Sequence, residues 1–189
     1  MATQPITGLT YEDLAGFPED NLRRELIDGE LIVTAAPTTR HQRVVAFLTT
    51  EFVLYQRAHG GLALPAPTDV FFDDRNVVEP DVVFVLVEHL ERVERPFIRS
   101  APDIVVEVSS PSTRRLELVR KLRLYERFGV PEYWYVDLDA DRVEVYRLEN
   151  ERFGPPSILG RSDRLTTPQL ARWSISVDEL LGPPEEVKS

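Results

Sequence analysis

Residues 104–113 read Ile-Val-Val-Glu-Val-Ser-Ser-Pro-Ser-Thr. Ile104 to Val108 is β-branched and nearly continuous in its apolar character, which predicts a strand covered on both faces. Pro111 breaks the run. Ser112 or Thr113 then caps a helix that extends to about Phe128 and stops at Gly129. Tyr133 to Asp137 follows as the next strand, making a strand, helix, strand unit. Glu107 is the anomaly within it, because a carboxylate in a buried strand is costly unless it is paired, protonated or bound to metal.

The flanking sequence supplies further elements. Asp69 to Phe72 and Asp81 to Val87 read as strands, and Glu88 to Ser100 is a charged loop. From Thr38 to Ala58 one helix carries Val44, Leu48, Phe52 and Tyr55 on a single stripe, with Gly60-Gly61 as its stop. Glu25-Leu26-Ile27 and Leu31-Ile32-Val33 flank Asp28-Gly29, which suits the positive φ angles of a tight hairpin turn. Thr10 to Asp13 resembles a capping box opening a short helix toward Gly16. Beyond Asp137, Arg142 to Leu148 completes a second hairpin, Glu149 to Thr167 reads as loop, and Ser174 to Val177 as a last short strand. Helices separated by runs of strands predict an α/β fold with a mixed central β-sheet flanked by helices. With 189 residues, one domain over 10–181 is expected, with tails at 1–9 and 182–189.

Composition removes several classes of function. There is no cysteine, so disulfides, thiolate metal sites and cysteine nucleophiles are excluded. The Gly-rich phosphate loops GxGxxG and GxxxxGK[ST] are absent, as are GxSxG and HExxH, and His41, His59 and His89 lack close ligand spacing. The start of the chain has no basic segment followed by an apolar one, and no apolar run is long enough to span a bilayer, so a cytoplasmic protein without membrane contact is expected. The net charge of −10 opposes general affinity for nucleic acid, so any such contact must be local. Arg114, Arg115, Arg120, Arg123 and Arg127 form the one strongly basic helix, which is either that contact or a solvated face.

Asp81, behind Pro80 at the mouth of its strand, can converge with Glu107 on one cation. All-oxygen ligation suits Mg²⁺ or Mn²⁺ rather than zinc. The alternative makes Asp81 a strand cap and Glu107 an arginine-paired structural acid. Only two lysines occur, Lys121 and Lys188. On a helix starting at Ser112, Lys121 is about 13.5 Å along the axis. Folding back along the strand at about 3.3 Å per residue brings it beside Val105 to Glu107. Its alternative role is an i, i+4 surface pair with Glu117.

Pro80-Asp81 and Glu107-Val108-Ser109 resemble the PD-(D/E)XK nuclease signature, with Ser109 at the position of the signature's lysine. A hydroxyl cannot replace that charge. Either the lysine function has moved to Lys121 or the site is inactive. Glu25-Leu26-Ile27-Asp28-Gly29-Glu30, Pro80-Asp81, Pro102-Asp103 through Thr113, Lys121 and Gly129 through Trp134 together resemble the Uma2 family, described as restriction endonucleases with a displaced lysine. The resemblance implies a restriction-endonuclease-like α-β-β-β-α-β core and a Mg²⁺- or Mn²⁺-dependent endonuclease acting on nucleic acid, DNA first. Asp81 and Glu107 would be metal ligands and Lys121 the catalytic cation. Glu25 would be a further acid, or else a surface partner of Arg23 or Arg24. His41 would position water or bind phosphate, or else be structural. Asp69 would join the acids, or else cap a turn. Glu132-Tyr133-Trp134-Tyr135 offers base stacking, a homodimer edge or core. The alternative function is a weak or inactive nuclease-fold interaction module, acting as a homodimer or accessory subunit.

Overall fold

The computed structural model describes residues 6–18, 20, 22–34, 36–109 and 117–183. Helix α1 (Tyr11–Ala15) precedes the hairpin β1 (Arg23–Ile27) and β2 (Glu30–Thr34). Asp28 and Gly29 turn that hairpin with φ of 54° and 75°. A side chain at Gly29 would press on Arg75 and on the Leu9 carbonyl, so the position requires glycine twice over. Helix α2 (Thr39–His59) is capped by the Thr38 hydroxyl, which accepts from the His41 N–H. Strands β3 (Leu62–Pro65), β4 (Val70–Asp73), β5 (Asn76–Val78) and β6 (Val82–Val85) follow, then a 3₁₀ turn at Val87–Arg92, β7 (Ile98–Arg99) and β8 (Ile104–Val108).

A π-helical turn, Glu117–Lys121, runs into helix α3 (Leu122–Arg127). The expected cap at Ser112 or Thr113 lies outside the described residues, as do Arg114 and Arg115. Strands β9 (Glu132–Asp137), β10 (Arg142–Glu149), β11 (Arg152–Phe153), β12 (Ser157–Gly160), β13 (Arg164–Thr166) and β14 (Ser174–Ser176) lead to helix α4 (Val177–Leu181). The stretch from Glu149 to Thr167, read from sequence as loop, therefore contains three strands. The long one, β12, pairs with β10 from Arg142↔Gly160 to Val145↔Ser157, so the pairing is imposed by a neighbouring strand rather than by local pattern.

The main sheet runs β11-β10-β9-β8-β6-β3, with β12 also on β10. β8 and β9 are parallel, joined across the segment that holds α3, while β3, β6 and β8 are antiparallel neighbours. Helix α2, strands β3, β6 and β8, helix α3 and strand β9 thus give the α-β-β-β-α-β order expected of a restriction-endonuclease-like core. A second sheet, β2-β1-β5-β4-β7, carries the hairpin.

Period-two alternation divides β8 between two cores. Ile104, Val106 and Val108 pack with Leu48, Phe52 and Trp134 on the α2 side. Val105 packs with Ile27, Leu124, Tyr125, Tyr133 and Tyr135 on the other side. Glu107 belongs by register to that second face, between α3 and β1. Every residue of β9 is buried. Tyr133, Trp134 and Tyr135 are therefore core residues, and base stacking by this strand is excluded in the folded chain.

Candidate active site

Three parts of the fold deliver carboxylates to one place. Within β1, Arg23, Glu25 and Ile27 share a face, and Ile27 packs into the same core as Val105 and Tyr125. This buries Glu25 rather than leaving it on a surface. Asp81 immediately precedes β6, and Glu107 is the fourth residue of β8. Glu25, Asp81 and Glu107 are 1%, 3% and 0% exposed. Charges so deeply buried require partners, and each has them.

Lys121, 1% exposed, bridges two of the acids: its Nζ lies 2.8 Å from Glu25 Oε1 and 2.8 Å from Glu107 Oε1. One turn further on, Tyr125 donates its hydroxyl to Glu107 Oε1 at 2.6 Å. Glu25 Oε1 also accepts from the Glu79 N–H at 2.8 Å. Asp81 divides its oxygens between the two layers. Oδ2 accepts from the Val108 N–H at 2.7 Å and lies 3.1 Å from His41 Nε2, while Oδ1 accepts from Arg23 at 2.8 Å.

Arg23 joins all the acids. Its other terminal nitrogen donates to the Glu79 carbonyl and lies 3.4 Å from Glu107 Oε2 and 3.5 Å from Glu25 Oε1, and its Nε is 3.5 Å from Glu79 Oε1. Sequence reasoning gave Arg23 only as a surface partner for Glu25. The Arg-x-Glu alternation within a strand was the available signal, since it sends both side chains to one face. Tyr125, four residues after Lys121 on one helix face, was legible in the same way.

The electrostatics follow from this arrangement. Burial penalises the charge on Glu25, but Lys121 and then Arg23 outweigh it and hold the carboxyl below its usual range. Burial pushes Glu107 up, Lys121 and Arg23 only partly offset that, and Asp81 and Glu25 add to it. Against the cost of burial, the His41 contact, Arg23 and the Val108 N–H keep Asp81 well below the ordinary carboxylate range. Glu79 has weaker support: burial raises it to about 7 in spite of Arg23, and Glu25 and Asp69 add to the rise. The Tyr125 hydroxyl is driven well above its usual value by burial and then by Glu107.

Asp69 remains at the margin. Its carboxyl is raised by burial and by the nearby Glu25, while its backbone carbonyl accepts from the Ile98 N–H. The side-chain bond in the preceding turn is made by Thr68, whose hydroxyl donates to the Pro65 carbonyl. Ser109 has a structural task, with its Oγ accepting from the Leu138 N–H at 2.9 Å. On the basic helix, Arg120 forks onto Glu30 with two contacts of 3.0 Å, and Arg127 reaches Asp28 at 2.9 Å. Part of the candidate nucleic-acid face is therefore neutralised by the β1–β2 hairpin.

Asp81 Oδ1, Glu107 Oε2 and the Glu79 carbonyl are hard oxygen donors of the kind Mg²⁺ and Mn²⁺ select, so the donor chemistry fits such an ion. Among the described residues no three histidine or acidic side chains stand ready to hold a metal ion as arranged. The guanidinium of Arg23 lies where their oxygens meet.

The mixed sheet and the α-β-β-β-α-β order define a restriction-endonuclease-like fold. The profile of the Uma2 family, described as "Putative restriction endonuclease", matches residues 10–178, and the chain belongs to that family. Its fold is shared by a crystal structure from Anabaena variabilis described as "a putative nuclease belonging to DUF820". The TM-score is 0.77 at 19% identity, covering 92% of this chain and 97% of the other. No curated protein sequence matches the chain. No described helix is long and apolar enough to cross a membrane.

Proposed function

We propose that the protein is a divalent-metal-dependent endonuclease that hydrolyses phosphodiester bonds in nucleic acid, with DNA as the first substrate to test. The observation that carries this reading is the contact of Lys121 Nζ with Glu107 Oε1 at 2.8 Å, made from the helical segment after β8. It supplies the positive charge that Ser109, engaged with Leu138, does not.

Asp81 and Glu107 would hold Mg²⁺ or Mn²⁺. When bound, the ion would polarise a phosphoryl oxygen and lower the pKa of a water. The chain's own groups organise the rest. The Val108 N–H and His41 fix Asp81 Oδ2, which turns Oδ1 toward Arg23 and Glu107. Tyr125 and Lys121 fix Glu107 Oε1, which leaves Oε2 facing the same point. Lys121 offsets the cost of burying Glu25 and Glu107, and its ammonium stabilises negative charge that develops on a transferring phosphoryl group.

One observation favours a second reading. Arg23 pairs with the acids without any metal, as a nuclease-fold module without chemistry would require, whether it acts as a homodimer or as an accessory subunit. Labelled single- and double-stranded DNA separate the two. With Mg²⁺ or Mn²⁺, internal cleavage by the wild type that is lost in Asp81→Asn and Glu107→Gln, both verified as folded, supports the enzyme. Cleavage equal in all three proteins, or absent from the wild type, supports the module.

A further inference from the structure

Arg23 and a divalent cation make the same demand on the same atoms. The guanidinium takes Asp81 Oδ1 at 2.8 Å and the Glu79 carbonyl, and faces Glu107 Oε2 at 3.4 Å. These are the oxygens left over once Lys121 and Tyr125 have claimed Glu107 Oε1, and His41 and Val108 have claimed Asp81 Oδ2. A Mg²⁺-like ion needs its ligands at about 2.0–2.1 Å. An ion at that distance from both Asp81 Oδ1 and Glu107 Oε2 would face the guanidinium nitrogens that already meet those oxygens, and the like charges repel.

We propose that Arg23 is an internal cation that competes with divalent metal, so that metal binds Asp81 and Glu107 only when the Arg23 side chain leaves. This rests on the nuclease reading of the site given above. Three observations make the exchange feasible. Arg23 is the first residue of β1, its side chain is 17% exposed, and Lys121 does not depend on it for either of its carboxylates. The guanidinium is also incompletely satisfied, since Nε is buried without a hydrogen-bond partner among the described residues. The charge balance favours the exchange as well. When Glu25, Glu79, Asp81 and Glu107 are ionised they outnumber the cations Arg23 and Lys121, so exchanging the single charge of Arg23 for a double one brings the cluster nearer neutrality.

The consequence is a lowered apparent affinity, because a ligand that binds only the open form is weakened by the fraction of molecules that are open. A tenfold preference for the occupied form weakens metal binding about tenfold.

Mn²⁺ titration of chelator-stripped protein, read by loss of the free-ion paramagnetic resonance signal, tests this without reference to cleavage. Arg23→Met is expected to bind Mn²⁺ at least about tenfold more tightly than the wild type, and Arg23→Lys to fall between them. Adding Asp81→Asn to Arg23→Met should abolish the gain. If stripped Arg23→Met does not fold, recovery of its folded spectrum on adding Mn²⁺ is the corresponding positive result. Equal Asp81-dependent affinity in wild type, Arg23→Met and Arg23→Lys overturns the competition while leaving the metal assignment intact. Absence of Asp81-dependent binding from all the proteins overturns the competition and the metal assignment together.

Discussion

Lys121→Met removes a buried ammonium held between two buried carboxylates, while keeping most of the stem's volume. Lys121, Glu25 and Glu107 are 1%, 1% and 0% exposed, and after the substitution the acids keep their neutral donors, the Glu79 N–H and the Tyr125 hydroxyl, but as charged partner among the described residues only Arg23, at 3.5 and 3.4 Å. Breaking a buried ion pair from one side costs about 3–5 kcal/mol. That is a large part of the roughly 5–15 kcal/mol that holds a domain of ordinary stability. In Lys121→Met/Glu107→Gln a charge leaves together with the ammonium, and the new amide still accepts from the Tyr125 hydroxyl. The double variant should therefore lose less than the sum of the single variants, by at least about 1 kcal/mol. Urea denaturation in metal-free buffer measures all four corners of the cycle, provided their m-values agree. The cost of Lys121→Met should also shrink on acidification. Burial already raises Glu107, so without Lys121 the native state gains a proton that the unfolded chain releases at lower pH. Losses that add to within about 0.5 kcal/mol would refute the idea that Lys121 and Glu107 act as one buried unit.

Three further outcomes follow from individual positions. Glu79 is raised to about 7 by burial and titrates near 4.5 when unfolded, so metal-free protein should lose up to about 3 kcal/mol of stability as pH rises from 4.5 through 7. Glu79→Gln should flatten that part of the pH–stability curve, and an unchanged slope would count against the assignment. Gly61 has a φ of 90°, and a Cβ there would approach the Val85 carbonyl at 2.8 Å and the Phe84 ring at 2.9 Å. Gly61→Ala should therefore lower stability by about 1–3 kcal/mol in thermal melts, whereas a neutral substitution would mean the chain relaxes there. Trp134 is fully buried and Trp173 is 8% exposed, so tryptophan emission should be unchanged by saturating oligonucleotide, and strong quenching would restore the stacking role that burial excludes.

The parts of the fold that were legible in the sequence are those whose local pattern and tertiary setting agree. Asp28-Gly29 specified its own turn, the Val44, Leu48 and Phe52 stripe specified the buried side of α2, and the run Ile104 to Val108 specified a strand covered on both faces. Strands β3 and β12 lacked such signals. Leu62 to Pro65 ends in a residue unsuited to a central strand, and Ser157 to Gly160 is half exposed and gains its form by pairing with β10. The site divides along the same line. Glu107 stood out because charge is rare in such a strand, and Lys121 because lysine is rare in this chain. Arg23 and Glu79 carried no comparable mark. An arginine near a strand acid has the look of a surface pair until the hairpin packs onto the sheet, and the burial that places both beside the acids is a property of that packing.

Asp81, Glu107 and Lys121 are expected to act as one reaction site. Nicking of supercoiled plasmid in Mn²⁺ or Mg²⁺ should be compared among wild type, Lys121→Met and Glu107→Gln, purified identically and verified as folded. Wild-type nicking should fall at least about a hundredfold in both variants, the scale of removing a charge that stabilises the transition state. No nicking by the wild type, or equal nicking by all three, would contradict it.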